Sequence, residues 1–313
     1  MTRELKKIAI LGASSHVARS LLPFFFNETD ADLFLFGRDA EKIRSTATVD
    51  LSSSRVRVFD GFNAFENENY DLCLNCVGAG TPNALGENYS RWFTLTETFD
   101  NKILSHLSDS NPTALYVSFS SGAVYGGLRR AGAENSVLSL SVNRLNVPDY
   151  YILARLNAEA KHRSFKDLRV LDVRLFSYFS RYLDDNAGYF MSDVLRALKT
   201  KTVLHVKPSD MCRDYIAPED LFALIVCASK ADAVNETVDA YSLKPVLKSE
   251  ILNAFQEKFG LNYVSDGHFV SPNAERNIYC SDYKAAGKFG YRPTKSALET
   301  LVDETKAALE GEK

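Results

Sequence analysis

Tyr151 and Arg155 stand four residues apart, and Ser121 lies in the run Phe119-Ser120-Ser121-Gly122-Ala123-Val124-Tyr125-Gly126. Residues at i and i+4 share one face of a helix, so this spacing sets a cation one turn along from a phenol. A free phenol has a pKa near 10 and is a weak base at neutral pH; a fixed positive charge beside it favours the phenolate. Ser121 would then hold the substrate oxygen whose proton Tyr151 gives or takes. The chemistry implied is hydride transfer coupled to proton transfer. A surface cation–aromatic pair is the competing reading of the same spacing.

Such chemistry needs a hydride carrier, and the N-terminus offers a place for one. The apolar run Lys7-Ile8-Ala9-Ile10-Leu11 reads as a buried parallel strand. Gly12-Ala13-Ser14-Ser15-His16-Val17-Ala18-Arg19 then reads as a tight turn opening a helix. A dinucleotide pyrophosphate binds at such a helix N-terminus, because free N–H groups point at it and the helix dipole favours its charge. The fingerprint wants three small residues; here they are Gly12, Ser15 and Ala18, only the first a glycine, and an ordinary strand–helix corner is the alternative. Gly12, Ser14, Ser15, His16 and Val17 are the expected contacts, although a histidine in such a turn is more often simply exposed. A second strand, Leu33-Phe34-Leu35-Phe36, ends in Gly37-Arg38-Asp39, where the fingerprint places its ribose reader. An acid would suit a free 2′-hydroxyl. Arg38 instead brings forked donors that suit a 2′-phosphate, so NADP is expected ahead of NAD. A solvated Arg38 paired with Asp39 is the other possibility. Asp60 and Gly78, each just past a further strand, together with Tyr151 and Arg155, complete the expected cofactor contacts.

The chain has 313 residues, 45% hydrophobic and 25% charged, with a net charge of −3. That is ample for one large or two modest domains. No apolar stretch reaches membrane-span length, and the charged start runs straight into a strand, so a cytosolic protein is expected. The near-neutral balance, without a long basic run, argues against nucleic acid as partner. Five thinly spread cysteines read as free thiols. Cys73 and Cys76 fall within one strand, where an offset of three sends side chains to opposite faces; no metal site is expected.

Stepping from strand to strand, the apolar runs at 7–11, 33–36, 55–59, 71–77, 114–119 and 169–173 alternate with helical segments that include 84–108 and 149–165. Continuously apolar strands alternating with helices predict a Rossmann-type doubly wound parallel sheet in an α/β protein. Ligands in such sheets sit beyond the strand C-termini, where Gly12, Arg38, the Gly78–Pro82 loop and Ser121 all fall. The expected division is a dinucleotide-binding domain over 1–176, with 213–240 returning to it, and a smaller C-terminal α/β lobe over 177–313 that binds substrate.

These residues carry a resemblance along nearly the whole chain to the extended short-chain dehydrogenase/reductases of the nucleotide-sugar epimerase, dehydratase and reductase group. Ser120 to Gly126 resembles that group's Ser/Thr-x-x-Val-Tyr-Gly signature, which makes Ser121 the catalytic hydroxyl, with Gly122 beside the substrate. Tyr151 to Glu159 resembles its Tyr-x-x-x-Lys-x-x-x-Glu helix, with Arg155 at the lysine. Arg174 to Phe179 resembles its Arg-x-Phe-Asn segment, with Ser177 at the asparagine that touches the sugar nucleotide. Arg213 to Leu221 resembles its Arg-Asp-Phe/Tyr-Ile block, whose arginine contacts a diphosphate. Phe289 to Pro293 resembles its Leu-Gly-Trp-x-Pro. Arg174 and Arg181 are further cations expected near the diphosphate, Asp210 and Asp214 are expected to orient Arg213, and Glu159 to pair within its helix. The resemblance implies a homodimer through the helices of 84–108 and 149–165, and a nucleotide-diphosphate sugar as substrate.

Three departures matter. A side chain at Ser15 crowds the approach to the pyrophosphate. Arg155 keeps the charge but not the geometry of lysine. Ser177 shortens a sugar contact. Arg38 tilts the expectation towards an NADP-dependent reductase of a keto group on a nucleotide-linked sugar. The alternatives are an epimerase with tightly bound NAD and a catalytically silent NADP-binding protein. Dehydration is disfavoured: the group's 4,6-dehydratases carry Thr-Asp-Glu where this chain has Ser121-Gly122-Ala123.

Overall fold

Ile8, Ala9, Ile10 and Leu11 are completely buried, as are Leu33 to Phe36 and Leu72 to Leu74. Strands apolar on every residue need cover on both faces, and a parallel sheet with helices on each side supplies it. The computed structural model, which describes residues 4–78, 88–126, 131–265 and 278–311, has that sheet. Its strands are β1 (Lys7–Leu11), β2 (Asp32–Gly37), β3 (Val56–Asp60), β4 (Leu72–Asn75), β5 (Leu115–Ser121), β6 (Arg169–Leu175) and, later in the chain, β11 (Asn235–Asp239). Among the described residues they form one seven-stranded sheet, ordered β11-β6-β5-β4-β1-β2-β3, with every pairing parallel. The order reverses between β1 and β4, which opens a crevice past their C-terminal ends. Of the expected segments, residues 79–82 of the loop after β4 and 84–87 of the first long helix lie outside the described residues.

Helix α1 (His16–Glu28) covers one face together with α6 (Pro218–Ser229), with Phe25 fully buried and edge-on to Phe222 at 5.0 Å. The other face is covered by α3 (Ser90–Ser110) and α4 (Val147–Ser164), which lie side by side; α2 (Ala40–Ser45) flanks the sheet edge at β3. Cys73 and Cys76, both buried and free, face these two opposite cores as the strand period requires.

The rest of the chain builds a second core around Phe179, Val194, Phe255 and Leu301, from α5 (Phe190–Thr200), α7 (Lys248–Phe259) and α8 (Ala297–Glu310). Short strands tie it together. β7 (Ser177–Tyr178) pairs with β10 (Tyr215–Ile216), and β8 (Leu204–Val206) with β13 (Tyr263–Ser265). β9 (Cys212–Arg213) lies between β12 (Val246–Leu247) and β14 (Ile278–Tyr279).

Helix α4 is fastened to the sheet by a buried charged cluster. His162 is wholly buried between Asp172 of β6, 2.8 Å from Nδ1, and Asp100 of α3, 3.3 Å from Nε2. Arg163 reaches Asp172 at 2.8 Å, and Tyr116, itself accepting from the Asn75 amide at 3.0 Å, donates to Asp100. Burial alone would discharge His162, but the two carboxylates outweigh it and push the imidazolium up to about 9. The cluster therefore carries a buried cation at neutral pH.

Candidate active site

The β1–α1 turn crosses close over β4. Gly12 has φ +76°, and a Cβ there would come within 2.9 Å of the Cys76 and Val77 backbone, so only glycine fits. Ser15 is the N-cap of α1 and its hydroxyl accepts the Ala18 N–H at 3.3 Å, so the side chain that departs from the glycine pattern caps the helix. The first amides of α1, at His16 and Val17, have no partner within the helix, the arrangement that can receive an anion. Ser14 is half-buried in the same turn, and the Val17 side chain packs on the sheet core. His16 is not an exposed loop residue. Its Nε2 is 2.7 Å from the Ser180 hydroxyl, its ring lies 5.2 Å from that of Tyr178, and burial, with Arg19 nearby, pulls it down to about 4. It is thus a neutral hydrogen-bonding group rather than a cation for phosphate.

At the end of β2, Arg38 is exposed and, among the described residues, has no ion pair. Asp39 instead caps α2, accepting from the Lys42 N–H at 3.0 Å. Asp60 accepts from the Ala40 N–H at 3.2 Å and so braces the loop that carries Arg38. Past β4, a Cβ at Gly78 would meet nothing within 4 Å. These features fit a dinucleotide: a tight turn, amides without helical partners at a helix start, and an open margin at the strand ends.

Ser121 closes β5 and opens a one-turn 3-10 helix, Gly122–Tyr125, where its Oγ accepts the Ala123 N–H at 3.1 Å. A Cβ at Gly122 would strike the Phe176 ring at 2.5 Å. Tyr151 and Arg155 share the face of α4 that meets this turn, with the guanidinium 5.1 Å from the Tyr151 ring centre and its Nη1 donating to the Phe119 carbonyl at 3.0 Å. Burial works against the Arg155 charge, yet attraction to Tyr151 and a hydrogen bond with it raise its pKa on balance. Trp92 of α3 packs edge-on to the Tyr151 ring at 5.3 Å, and Tyr150 stacks on Tyr89 at 6.2 Å, a packing role.

Other residues of the site have no motif around them. The Tyr279 hydroxyl, from β14, is 3.1 Å from Ser121 Oγ. Tyr189, just before α5, has its phenol pushed up to about 12, first by burial and then by the Tyr151 and Tyr279 phenols, so these three tyrosines share one neighbourhood, and Tyr279 links it to Ser121. The nearest sequence signal for Tyr279 is the short apolar run Ile278-Tyr279-Cys280, which announces a strand but no partner.

Behind the site runs a buried polar chain. Glu159 does not pair within its helix as expected: it takes a two-pronged bond from Arg174 of β6, at 2.6 and 3.0 Å, and the Ser120 hydroxyl at 2.5 Å. Arg174 also donates to the Tyr125 hydroxyl at 3.0 Å; Tyr125 donates to Asp239 at 2.8 Å, and Asp239 accepts from Ser281 at 2.5 Å. Its guanidinium is committed to this chain rather than to a diphosphate.

On the substrate side, Arg213 is buried in β9 with its guanidinium 5.4 Å from the Tyr279 ring centre and its Nε on the Met211 sulfur at 3.0 Å. The carboxylates flanking it are engaged with serines. Asp210 accepts from Ser249, and Asp214 from Ser242. Ser177 lies opposite Tyr215 in the β7–β10 pair. Arg181 holds Glu304 of α8 with its Nη2 at 2.7 Å and its Nε at 3.1 Å, and a diphosphate would have to compete with that carboxylate.

The fold has counterparts among solved structures. A variant of UDP-glucuronic acid 4-epimerase from Bacillus cereus, in complex with UDP-4-deoxy-4-fluoro-glucuronic acid and NAD, superposes with a TM-score of 0.80 over 97% of this chain and 99% of that one, at 14% identity. UDP-N-acetylglucosamine 4-epimerase from Methanobrevibacter ruminantium, in complex with UDP-N-acetylmuramic acid, gives 0.78 over 99% and 100%, at 16% identity. A dTDP-glucose 4,6-dehydratase from Bacillus anthracis, in complex with NAD, gives 0.74 over 98% and 97%, at 13% identity. At such identities the likeness is one of fold. A search of curated proteins by sequence finds no match. Among the described residues no helix is long and apolar enough to cross a membrane. The family model of the NAD dependent epimerase/dehydratase family matches residues 8–265, and the chain belongs to that family.

Proposed function

We propose that the protein is a nucleotide-sugar epimerase that works with tightly held NAD, oxidising and re-reducing one carbon of a nucleotide-linked hexose. The observation that carries this reading is the Tyr151–Arg155 pair, which Arg155 fastens to the Phe119 carbonyl two residues before Ser121 at the end of β5 in a chain whose first βα turn suits a dinucleotide. Bound there, NAD supplies the acceptor and donor of the hydride. Tyr151, as the phenolate, takes the proton from the reacting hydroxyl and, as the phenol, returns it; Arg155 stabilises the phenolate that precedes the first transfer and is restored by the second, and Ser121 holds the oxygen in place. Dehydration does not suit the site. It needs carboxylates after the catalytic hydroxyl, and the Phe176 ring leaves no room for any side chain at Gly122. The solved epimerases named above hold NAD or UDP-sugars, which supports the same substrate class.

Arg38 favours a second reading, an NADP-dependent reductase of a keto-sugar, because its exposed guanidinium suits a 2′-phosphate. Mass spectrometry of the nucleotide released from the purified, denatured protein separates the two: retained NAD supports the epimerase, whereas exchangeable NADPH supports the reductase. Calorimetric titration of Arg38→Ala adds a direct test. A 2′-phosphate contact predicts a ten- to hundredfold loss for NADPH and little change for NADH, from about 1.5–3 kcal/mol per charge-assisted bond. A protein that binds dinucleotide but turns over no nucleotide sugar would be a silent binder. Following the resemblance, we also assign a homodimer through α3 and α4, to be checked by light scattering.

A further inference from the structure

We propose that Tyr279 is a positioning residue for the reaction, whose hydroxyl commits Ser121 to donating its proton to the substrate oxygen. The inference rests on the reading of the site as a hydride-transfer centre, and it concerns a residue outside every recognised motif.

The argument is one of hydrogen-bond capacity. A serine hydroxyl has one proton to give and two lone pairs to receive with. One lone pair of Ser121 is fixed by the Ala123 N–H at 3.1 Å, a bond set by the backbone of the 3-10 turn. The Tyr279 hydroxyl stands 3.1 Å away. When Tyr279 donates, both lone pairs are occupied and the Ser121 proton is the only capacity left, so Ser121 serves the substrate oxygen as a donor. With Tyr279 as acceptor, that proton would be consumed, and Ser121 could only accept. An oxygen that accumulates negative charge as the carbonyl is reduced requires the first arrangement.

The surroundings favour Tyr279 as the donor. The Arg213 guanidinium faces its ring, 5.4 Å from the centre, and a cation there stabilises charge shifting onto the phenol oxygen, which makes the O–H a stronger donor. A chain of Tyr279 O–H to Ser121 O–H to substrate oxygen is cooperative, each bond polarising the next. Placement is also enforced. Two residues beyond Tyr279, the Ser281 hydroxyl is anchored on Asp239, which the Tyr125 hydroxyl also meets; through Arg174 and Glu159 the same polar chain ends on Ser120, the neighbour of Ser121. The strand carrying Tyr279 and the strand end carrying Ser121 are thereby locked together from behind.

The test is a double-mutant cycle on the full-length protein. Ser121→Ala, Tyr279→Phe and the double variant are assayed alongside wild type with UDP-glucose, UDP-glucuronic acid and UDP-N-acetylglucosamine offered in turn. Tyr279→Phe keeps the ring beneath Arg213 and removes only the hydroxyl. It should lower kcat about tenfold or more, leave KM within about twofold, and have no further effect once Ser121 is alanine. An equal loss in both backgrounds, or a loss expressed in KM alone, overturns the role assigned to Tyr279 while leaving the hydride-transfer reading intact. No turnover by wild type with any of the three sugars overturns the epimerase reading and, with it, the role assigned to Tyr279 in that reaction; the wild-type assay alone separates this case.

Discussion

Raising the pH from 6.5 to 9 should unload the buried cation at His162 and weaken the fold in proportion. In the unfolded chain the imidazole titrates near 6.5; in the folded protein, between Asp100 and Asp172, it titrates at about 9. A folded pKa raised above the unfolded one means that the native state holds the proton more tightly. Its stabilisation is complete below pH 6.5 and disappears as the pH rises through 9. At about 1.4 kcal/mol per unit, that gap corresponds to about 3 kcal/mol, a large share of the stability of an ordinary domain. His16 acts in the opposite direction. Its pKa is lowered to about 4, so its contribution is present above pH 6.5 and fades as the pH falls towards 4. Urea unfolding at fixed pH, followed by circular dichroism, should therefore give greatest stability near pH 6.5 and a fall of about 1 kcal/mol or more per unit between 7 and 8.5. The imidazole signal absent from His162→Gln should titrate near 9 in wild-type NMR spectra. Constant unfolding free energy from pH 6.5 to 9, or a His162 titration near 6.5, would refute the claim that the cluster holds a cation.

Three further outcomes are expected. Tyr151→Phe keeps the ring against Trp92 and Arg155 but removes the proton, so kcat should fall by roughly 10²–10⁴ with binding retained, whereas Tyr150→Phe should be nearly neutral in the same assay. Arg155→Lys should retain measurable turnover because the charge persists, while Arg155→Met should lose most of it and move the activity–pH profile to higher pH, as measured in a stopped kinetic assay from pH 6 to 10. Gly12→Ala places a Cβ at a positive φ and against the Cys76–Val77 backbone, costing about 1–3 kcal/mol from the dihedral alone; a lowered Tm and weakened dinucleotide binding by calorimetry should follow together.

The parallel sheet was legible because its strands are apolar on every residue, a pattern that short buried strands and little else produce. Tyr151 and Arg155 were legible for a local reason too: helical spacing alone sets them on one face. Arg174 and Glu159 were not. Their neighbours in sequence suggest a diphosphate ligand and a helix-internal pair, whereas the bond they make joins β6 to α4, and nothing along the chain encodes that register. Arg181 illustrates the same limit, since Glu304 lies 123 residues away. Tyr279 was invisible for the complementary reason that a single tyrosine in a two-residue strand has no periodicity. Local chemistry shows in sequence, and chemistry assembled across elements shows only in the fold.

The position of His162 on α4 has a consequence for the Tyr151 end of that helix. His162 lies eleven residues after Tyr151, which at 3.6 residues per turn is almost three full turns, so the two side chains leave the helix in nearly the same direction. Sliding α4 by one residue along the sheet would rotate that direction by about 100° and shift it about 1.5 Å. An apolar face tolerates such errors, because one leucine can replace another. A cation that must land between two particular carboxylates does not. The cluster works as a rotational index: by admitting only one phase of the helix at its C-terminal end, it aims the phenol at the other.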